Sequence, residues 1–165
     1  MEKKYILDAC CGGRMFWFNK KHPNTLYIDK RETNQGIIVN EGMRYNPNHR
    51  VQPDIIMDFR KLDFDDKSFK MVVFDPPHVI NASEKSAIGQ IYGSLDKDTW
   101  EQDIKKGFDE CWRVLEDYGT LIFKWNETSI KKKQVLELIG KQPLFGHQVG
   151  SKLQTHWMTF MKIPK

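Results

Sequence analysis

The chain has 165 residues, a formal net charge of +4, 29% charged residues and 12% aromatics. That length sets one domain, 1–165, with a single sizeable core, and a minimal domain without a separate target-recognition domain is expected. No apolar run reaches the roughly 18 residues that a membrane span needs, no signal-peptide pattern opens the chain, and Cys10, Cys11 and Cys111 are too few for a disulfide framework, so a cytoplasmic protein with no membrane partner is expected. The mild positive charge permits DNA or RNA as a partner without requiring one, and it says nothing of oligomeric state.

Short apolar runs alternate with helix-like stretches. Residues 5–8, 26–29, 54–58 and 71–75 read as four strands, β-branched or aromatic and nearly unalternating, as strands buried on both faces read. Residues 14–21 are expected to form a short helix between the first two. Residues 99–115 repeat Trp100, Ile104, Phe108, Cys111, Trp112 and Leu115 at three-to-four spacing and predict a helix capped by Asp98 or Thr99. Residues 119–124 read as a fifth strand. Residues 129–141 predict a second helix with Ile130, Val135, Leu138 and Ile139 on its apolar side, and 144–149 and 155–163 two further strands. The pattern predicts an α/β, Rossmann-like fold: a doubly wound, mostly parallel, seven-stranded sheet. The connectors 31–53 and 79–98 are long for plain loops, and the second, with Ser83, Ser86, Gly89 and Tyr92, suits a lid over substrate.

Each of the first four strands closes on an aspartate: Asp8, Asp29, Asp58 and Asp75. A parallel sheet lines all four along the edge where open α/β sheets bind ligands. Ala9-Cys10-Cys11-Gly12-Gly13 follows Asp8 and lets the backbone turn sharply against a ligand. Asp29 lies 21 residues after Asp8, the position of an acid that grips a ribose diol. Asp58 and Phe59 offer polar and apolar contact to an adenine. Neither G-x-G-x-x-G nor G-x-x-x-x-G-K-[ST] is present, so the set asks for a nucleoside rather than a pyrophosphate or triphosphate.

The most specific signal is Asp75-Pro76-Pro77-His78 directly after Val72-Val73-Phe74. Two prolines donate no N–H and fix φ, so they stiffen the turn and hold its flanking groups. A carboxylate, the Pro76 carbonyl and the flat His78 ring together make a receptor for a planar group bearing an amine.

These residues resemble class I S-adenosylmethionine-dependent methyltransferases over nearly the whole chain. Residues 6–13 resemble the first motif of that family, Tyr27-Ile28-Asp29 its ribose-binding strand end, and 58–62 with 64–69 its adenine loop and the approach to the fourth strand. Asp75-Pro76-Pro77-His78 resembles the Asp/Asn-Pro-Pro-aromatic motif of amino-methylating members, and the small phage-type DNA or RNA adenine-N6 methyltransferases are the most similar in size and arrangement. Cys10 and Arg14 stand where the first motif has glycines, and His78 where it has Tyr, Phe or Trp. The resemblance implies S-adenosylmethionine held by Asp8, Ala9, Cys10, Gly12, Arg14, Asp29, Lys30, Asp58, Phe59 and Asp75, with Arg14 toward its carboxylate. It implies catalysis at Asp75, Pro76, Pro77 and His78.

Tyr92, Lys124 and Asn126 are further candidates for substrate contact. Arg44, Tyr45, His49 and Arg50, basic residues interleaved with an aromatic, fit a nucleic-acid strand. Cys10 and Cys11 read as small buried residues, because neither a C-x-x-C pair nor a histidine at ligand spacing accompanies them, and no metal is expected. His156 and Trp157 read as packing. The expected activity is methyl transfer to an exocyclic amino nitrogen of a nucleobase, adenine N6 most simply. Methylation of a small molecule or protein side chain, and a non-catalytic binding module, remain open on these residues.

Overall fold

Strands without a polar stripe need cover on both faces, and the runs around Leu7, Ile28 and Val72 occupy the middle of one sheet, each fully buried. The computed structural model describes residues 3–33, 35–36, 46–146 and 154–164. Its strands are β1 (Ile6–Asp8), β2 (Thr25–Asp29), β3 (Ile55–Ile56), β4 (Phe69–Phe74), β5 (Leu115–Asn126), β6 (Phe145–Gly146) and β7 (Thr155–Met161). They lie in the order β3-β2-β1-β4-β5-β7-β6. β1 to β5 are parallel, and β7 is antiparallel to both β5 and β6. This is the expected mostly parallel, seven-stranded sheet. Strand order reverses between β1 and β4, which opens a crevice at their carboxyl ends.

The helices are α1 (Ala87–Tyr92), α2 (Trp100–Val114) and α3 (Lys132–Ile139). The apolar spacing of α2 buries Ile104, Phe108, Cys111 and Val114. The Phe108 ring meets Phe160 at 5.3 Å and Phe123 at 5.9 Å, and Phe123 stacks on Phe74 at 5.4 Å. Burying each of these rings contributes about 1.5–3 kcal/mol. α3 starts later than expected because Lys131 is extended (ψ 139°), and it stops at Gly140, whose φ of 65° ends the helix. β5 is longer than expected: Leu115 is already extended (ψ 133°) and pairs with Phe69, so α2 passes into β5 without a loop. Of the strand expected at 144–149, Phe145 and Gly146 pair with β7, and 147–149 lie outside the described residues.

α2 and α3 pack on each other and share one sheet face. Among the described residues no helix covers the other face. The helix expected at 14–21 is replaced by isolated turns, with Arg14 at φ 53°. Side chains take over the bonding: the Arg14 guanidinium donates to the Lys20 and Gln52 carbonyls, and the Trp17 indole donates to Asp8. The turns pack on the open face through Arg14, 3.8 Å above the Tyr27 ring, and Phe16, edge-on to Trp157 at 5.3 Å. No described helix is long and apolar enough to cross a membrane.

Candidate active site

The turn after β1 is stitched into its neighbours. Ala9 N–H donates to Val73 of β4 and Cys11 N–H to Ile28 of β2. Gly13 packs directly under the His49 ring: a Cβ there would lie 2.3 Å from His49 Cε1, so a larger residue would have to displace that ring. Asp8 is fully buried, and its Oδ2 accepts from Trp17 Nε1 at 2.7 Å. Burial pushes its carboxyl up to about 7, with the nearby Asp75 and Asp29 charges adding to the rise.

Gly12 N–H points at the end of β2, donating to Asp29 Oδ2 at 3.0 Å. Asp29 is already well served: Oδ1 accepts from Arg31 N–H at 3.0 Å and Nε at 3.2 Å, and Oδ2 from Arg31 Nη2 at 3.4 Å. Arg31 Nη1 reaches across to the Gln90 carbonyl in α1 at 3.3 Å. That bond helps to pin the 79–98 segment over the crevice. Its two ends are tied by Asn81 N–H to Leu95 O and Leu95 N–H to Val79 O, and Ser86 caps α1 by accepting from Gly89 N–H. α1 turns Ile91 and Tyr92 into the crevice wall.

Asp75, Pro76, Pro77 and His78 leave β4 on the opposite side of the same cleft, with the His78 ring 5.7 Å from Tyr92. Lys124 of β5 donates to Asp75 Oδ2 at 2.6 Å. Burial raises the Asp75 carboxyl above its usual range, and Lys124 offsets part of that rise. Burial, with Lys124 adding, lowers His78 to about 4, so the imidazole is neutral near pH 7. Lys124 also lies over the Phe16 and Trp157 rings, at 5.5 and 5.7 Å, which holds its ammonium at the cleft edge.

No family model and no curated protein matches the chain. Solved structures do match. The PH0226 protein of Pyrococcus horikoshii OT3 superposes with a TM-score of 0.56 at 18% identity, over 99% of this chain and 84% of its own. A SAM-dependent methyltransferase of Methanosarcina mazei gives 0.56 at 12% identity, over 100% and 95%. A SAM-dependent methyltransferase of Leishmania major gives 0.54 at 14% identity, over 97% and 65%. The chain has the Rossmann-like methyltransferase fold.

Within that fold, the cleft gathers Ala9, Cys10, Gly12, Asp29, Lys30, Phe59, Asp75, Pro76, Pro77, His78 and Tyr92 of the sequence candidates. It does not gather five others. Asp8 is sealed beneath the turn by Trp17 and the Cys10 N–H. Arg14 turns away to Asp54, at 2.9 Å, because its positive φ aims it at Tyr27. Asp58 is clasped by Arg60, whose Nε lies 2.9 Å from Oδ1, and Arg60 ties on to Asp103 of α2. Asn126 bonds Thr155 and Thr128 beside β7. Lys124 reaches the site through Asp75 instead of lining the cleft. His49 is buried against Gly13, Arg50 is exposed, and Arg44 and Tyr45 lie outside the described residues. Trp157 packs edge-on against Phe16. Burial pushes the Cys11 thiol up to about 12, away from thiolate chemistry. Met15, Phe16, Arg31 and Ile91 join the lining unannounced by any motif. For Phe16 the one signal is its place in the aromatic run Phe16-Trp17-Phe18, within the segment 14–21 where a short helix is expected and isolated turns are found.

Proposed function

We propose that the chain is an S-adenosylmethionine-dependent methyltransferase acting on an exocyclic amino nitrogen of a nucleobase, adenine N6 most simply. The observation that carries this reading is that Asp75-Pro76-Pro77-His78 and the Gly12–Asp29 pair face one cleft. The similarity of that motif to those of amino-methylating enzymes supports it.

The residues present suit the cofactor. Cys10, Gly12 and Gly13 leave backbone close to the cleft, Phe59 is an apolar wall, and Asp29 is an acceptor for a ribose diol. Arg31 already occupies Asp29, and its Nη2 bond, the longest at 3.4 Å, is the one a diol replaces at least cost. When bound, S-adenosylmethionine supplies an activated methyl group on a sulfonium. The protein's part is then positioning and electrostatics. Lys124 holds Asp75 Oδ2 and leaves Oδ1 to accept from the target amine, with the Pro76 carbonyl as second acceptor. The neutral His78 ring, beside Tyr92, stacks on the base. The Asp75 carboxylate stabilises the positive charge that the nitrogen gains on methylation. A base in a duplex must be flipped to reach these groups, so a single strand is the simpler substrate.

The test is incubation with labelled S-adenosylmethionine and separate DNA, RNA and protein pools, followed by nucleoside analysis. Label in N6-methyladenine is the expected result. Label confined to protein or to a small molecule overturns the nucleobase reading. Absence of S-adenosylmethionine binding by calorimetry, with the protein folded, overturns the enzyme reading.

A further inference from the structure

Arg14, freed from the cofactor side, helps to line a second cleft of about 650 Å³ on the sheet face that no described helix covers. It extends from Gly12 and Gly13, which it shares with the active cleft, to Pro23 before β2. Its walls carry Lys4, Lys20, Lys21, His22 and Arg50. Among the described lining residues Asp54 is the one acid, and Arg14 neutralises it at 2.9 Å. Lys20, Lys21 and Arg50 form no ion pair among the described residues. Among the described residues the Lys20 ammonium reaches the Gly13 carbonyl, at 3.4 Å.

A groove with several cations that pair with no described acid, and with one neutralised acid, is a polyanion site. The segment 15–21 then decides which polyanion. Met15 and Phe16 line the active cleft, Lys20 and Lys21 line the groove, and between them Phe18 is fully exposed. A fully exposed phenylalanine beside a basic groove is an arrangement on which an unpaired base stacks. We propose that this groove binds the sugar–phosphate backbone of a single-stranded nucleic acid, that Phe18 stacks on a base flanking the target, and that segment 15–21 leads the strand to the cleft at Asp75. This rests on the nucleobase reading above and adds to it the surface that holds the substrate.

The test is fluorescence anisotropy with labelled single-stranded RNA, single-stranded DNA and duplex oligonucleotides, from about 50 to 200 mM salt. The variants are Phe18→Ser and the triple change Lys20→Gln, Lys21→Gln, Arg50→Gln, each matched to the parent in thermal melting and in S-adenosylmethionine binding. Single strands are expected to bind more tightly than duplex. The triple variant is expected to lower the slope of log affinity against log salt by about 2, or roughly 0.7 for each phosphate no longer neutralised. Phe18→Ser is expected to weaken binding about tenfold with the slope unchanged, since stacking releases no counterions. An unchanged salt slope in the triple variant, a parent that binds no strand, or retention by anionic vesicles in place of strands overturns the proposal. Strand binding through these residues with no methyl label on nucleic acid leaves the groove standing and removes the methyl-transfer reading. Nucleic-acid methylation unaffected by the triple variant does the reverse.

Discussion

Lys124 Nζ stands 2.6 Å from Asp75 Oδ2 and joins the end of β5 to the end of β4 across the mouth of the cleft. Both side chains are mostly buried, at 20% and 18% exposure, so the pair is tighter and less screened than a surface ion pair. It fixes one carboxylate oxygen, and in the proposed function the other is left to the substrate.

The first prediction concerns that division. Asp75→Ala removes the acceptor and should cut methyl transfer by about 100-fold or more while S-adenosylmethionine affinity, read by calorimetry, stays within about threefold. Asp75→Asn keeps a carbonyl acceptor and should retain more activity than the alanine variant. Lys124→Met removes the charge that lowers the Asp75 carboxyl. Its acid limb in the pH profile of kcat should therefore move to higher pH, because a protonated Asp75 is the poorer acceptor.

His78 provides a second, independent check. With its titration lowered to about 4 by burial and by Lys124, its ring C–H resonances should stay at the neutral position from pH 8 down to pH 5 and move only below that. In Lys124→Met the midpoint should rise, since one of the two causes is gone. A midpoint near the ordinary histidine value of about 6.5 in the parent protein would place His78 in solvent.

Asp8 makes the third prediction, on stability. Its carboxyl titrates at about 7 when folded against 3.8 in the reference state. Below about pH 4 both states are protonated and Asp8 costs nothing. As pH rises through 7 the folded state must carry a buried charge, at a cost of roughly 4 kcal/mol. Asp8→Asn cannot ionise, so its unfolding free energy should gain on the parent's across pH 4–7 and hold that gain above. Parallel curves in urea denaturation across that range would contradict the assignment.

Gly107 in α2 gives the fourth. Helix propensity says that Gly→Ala stabilises by about 1 kcal/mol. Here a Cβ would lie 2.4 Å from Phe59 Cδ2 and 2.8 Å from Phe74 Cζ. Overpacking of this kind costs about 1–3 kcal/mol, so Gly107→Ala should lower the melting temperature. It should also weaken S-adenosylmethionine binding, because Phe59 gives way toward the cleft it lines.

Strand ends were the most legible part of the chain. β-branched runs closing on aspartate show where a parallel sheet presents its ligand edge, and Pro76-Pro77 fixes the turn that carries Asp75 and His78 whatever surrounds it. The helix at 99–115 was legible for the same kind of reason: Ile104, Phe108 and Cys111 repeat at the helical period and are buried. Segment 14–21 was not. Its length and place between two strands suit a short helix, and nothing local shows that Arg14 bonds carbonyls 6 and 38 residues away or that Asp8 recruits Trp17.

The sequence by itself determined the sheet, the edge where its strands end on aspartate and the stiff turn from Asp75 to His78, because those rest on residue type, spacing and the stiffness of proline. Which aspartates face the cleft was decided only in three dimensions. Asp8, Asp29, Asp58 and Asp75 are alike as strand ends. Trp17 seals the first, Arg31 holds the second in the cleft, Arg60 draws the third to α2, and Lys124 orients the fourth. Trp17 and Lys124 are brought to their aspartates by folding, whereas Arg31 and Arg60 are two residues away and the fold decides only where each carries its partner. Charge pairing and burial, rather than local propensity, settle which carboxylates are left for chemistry.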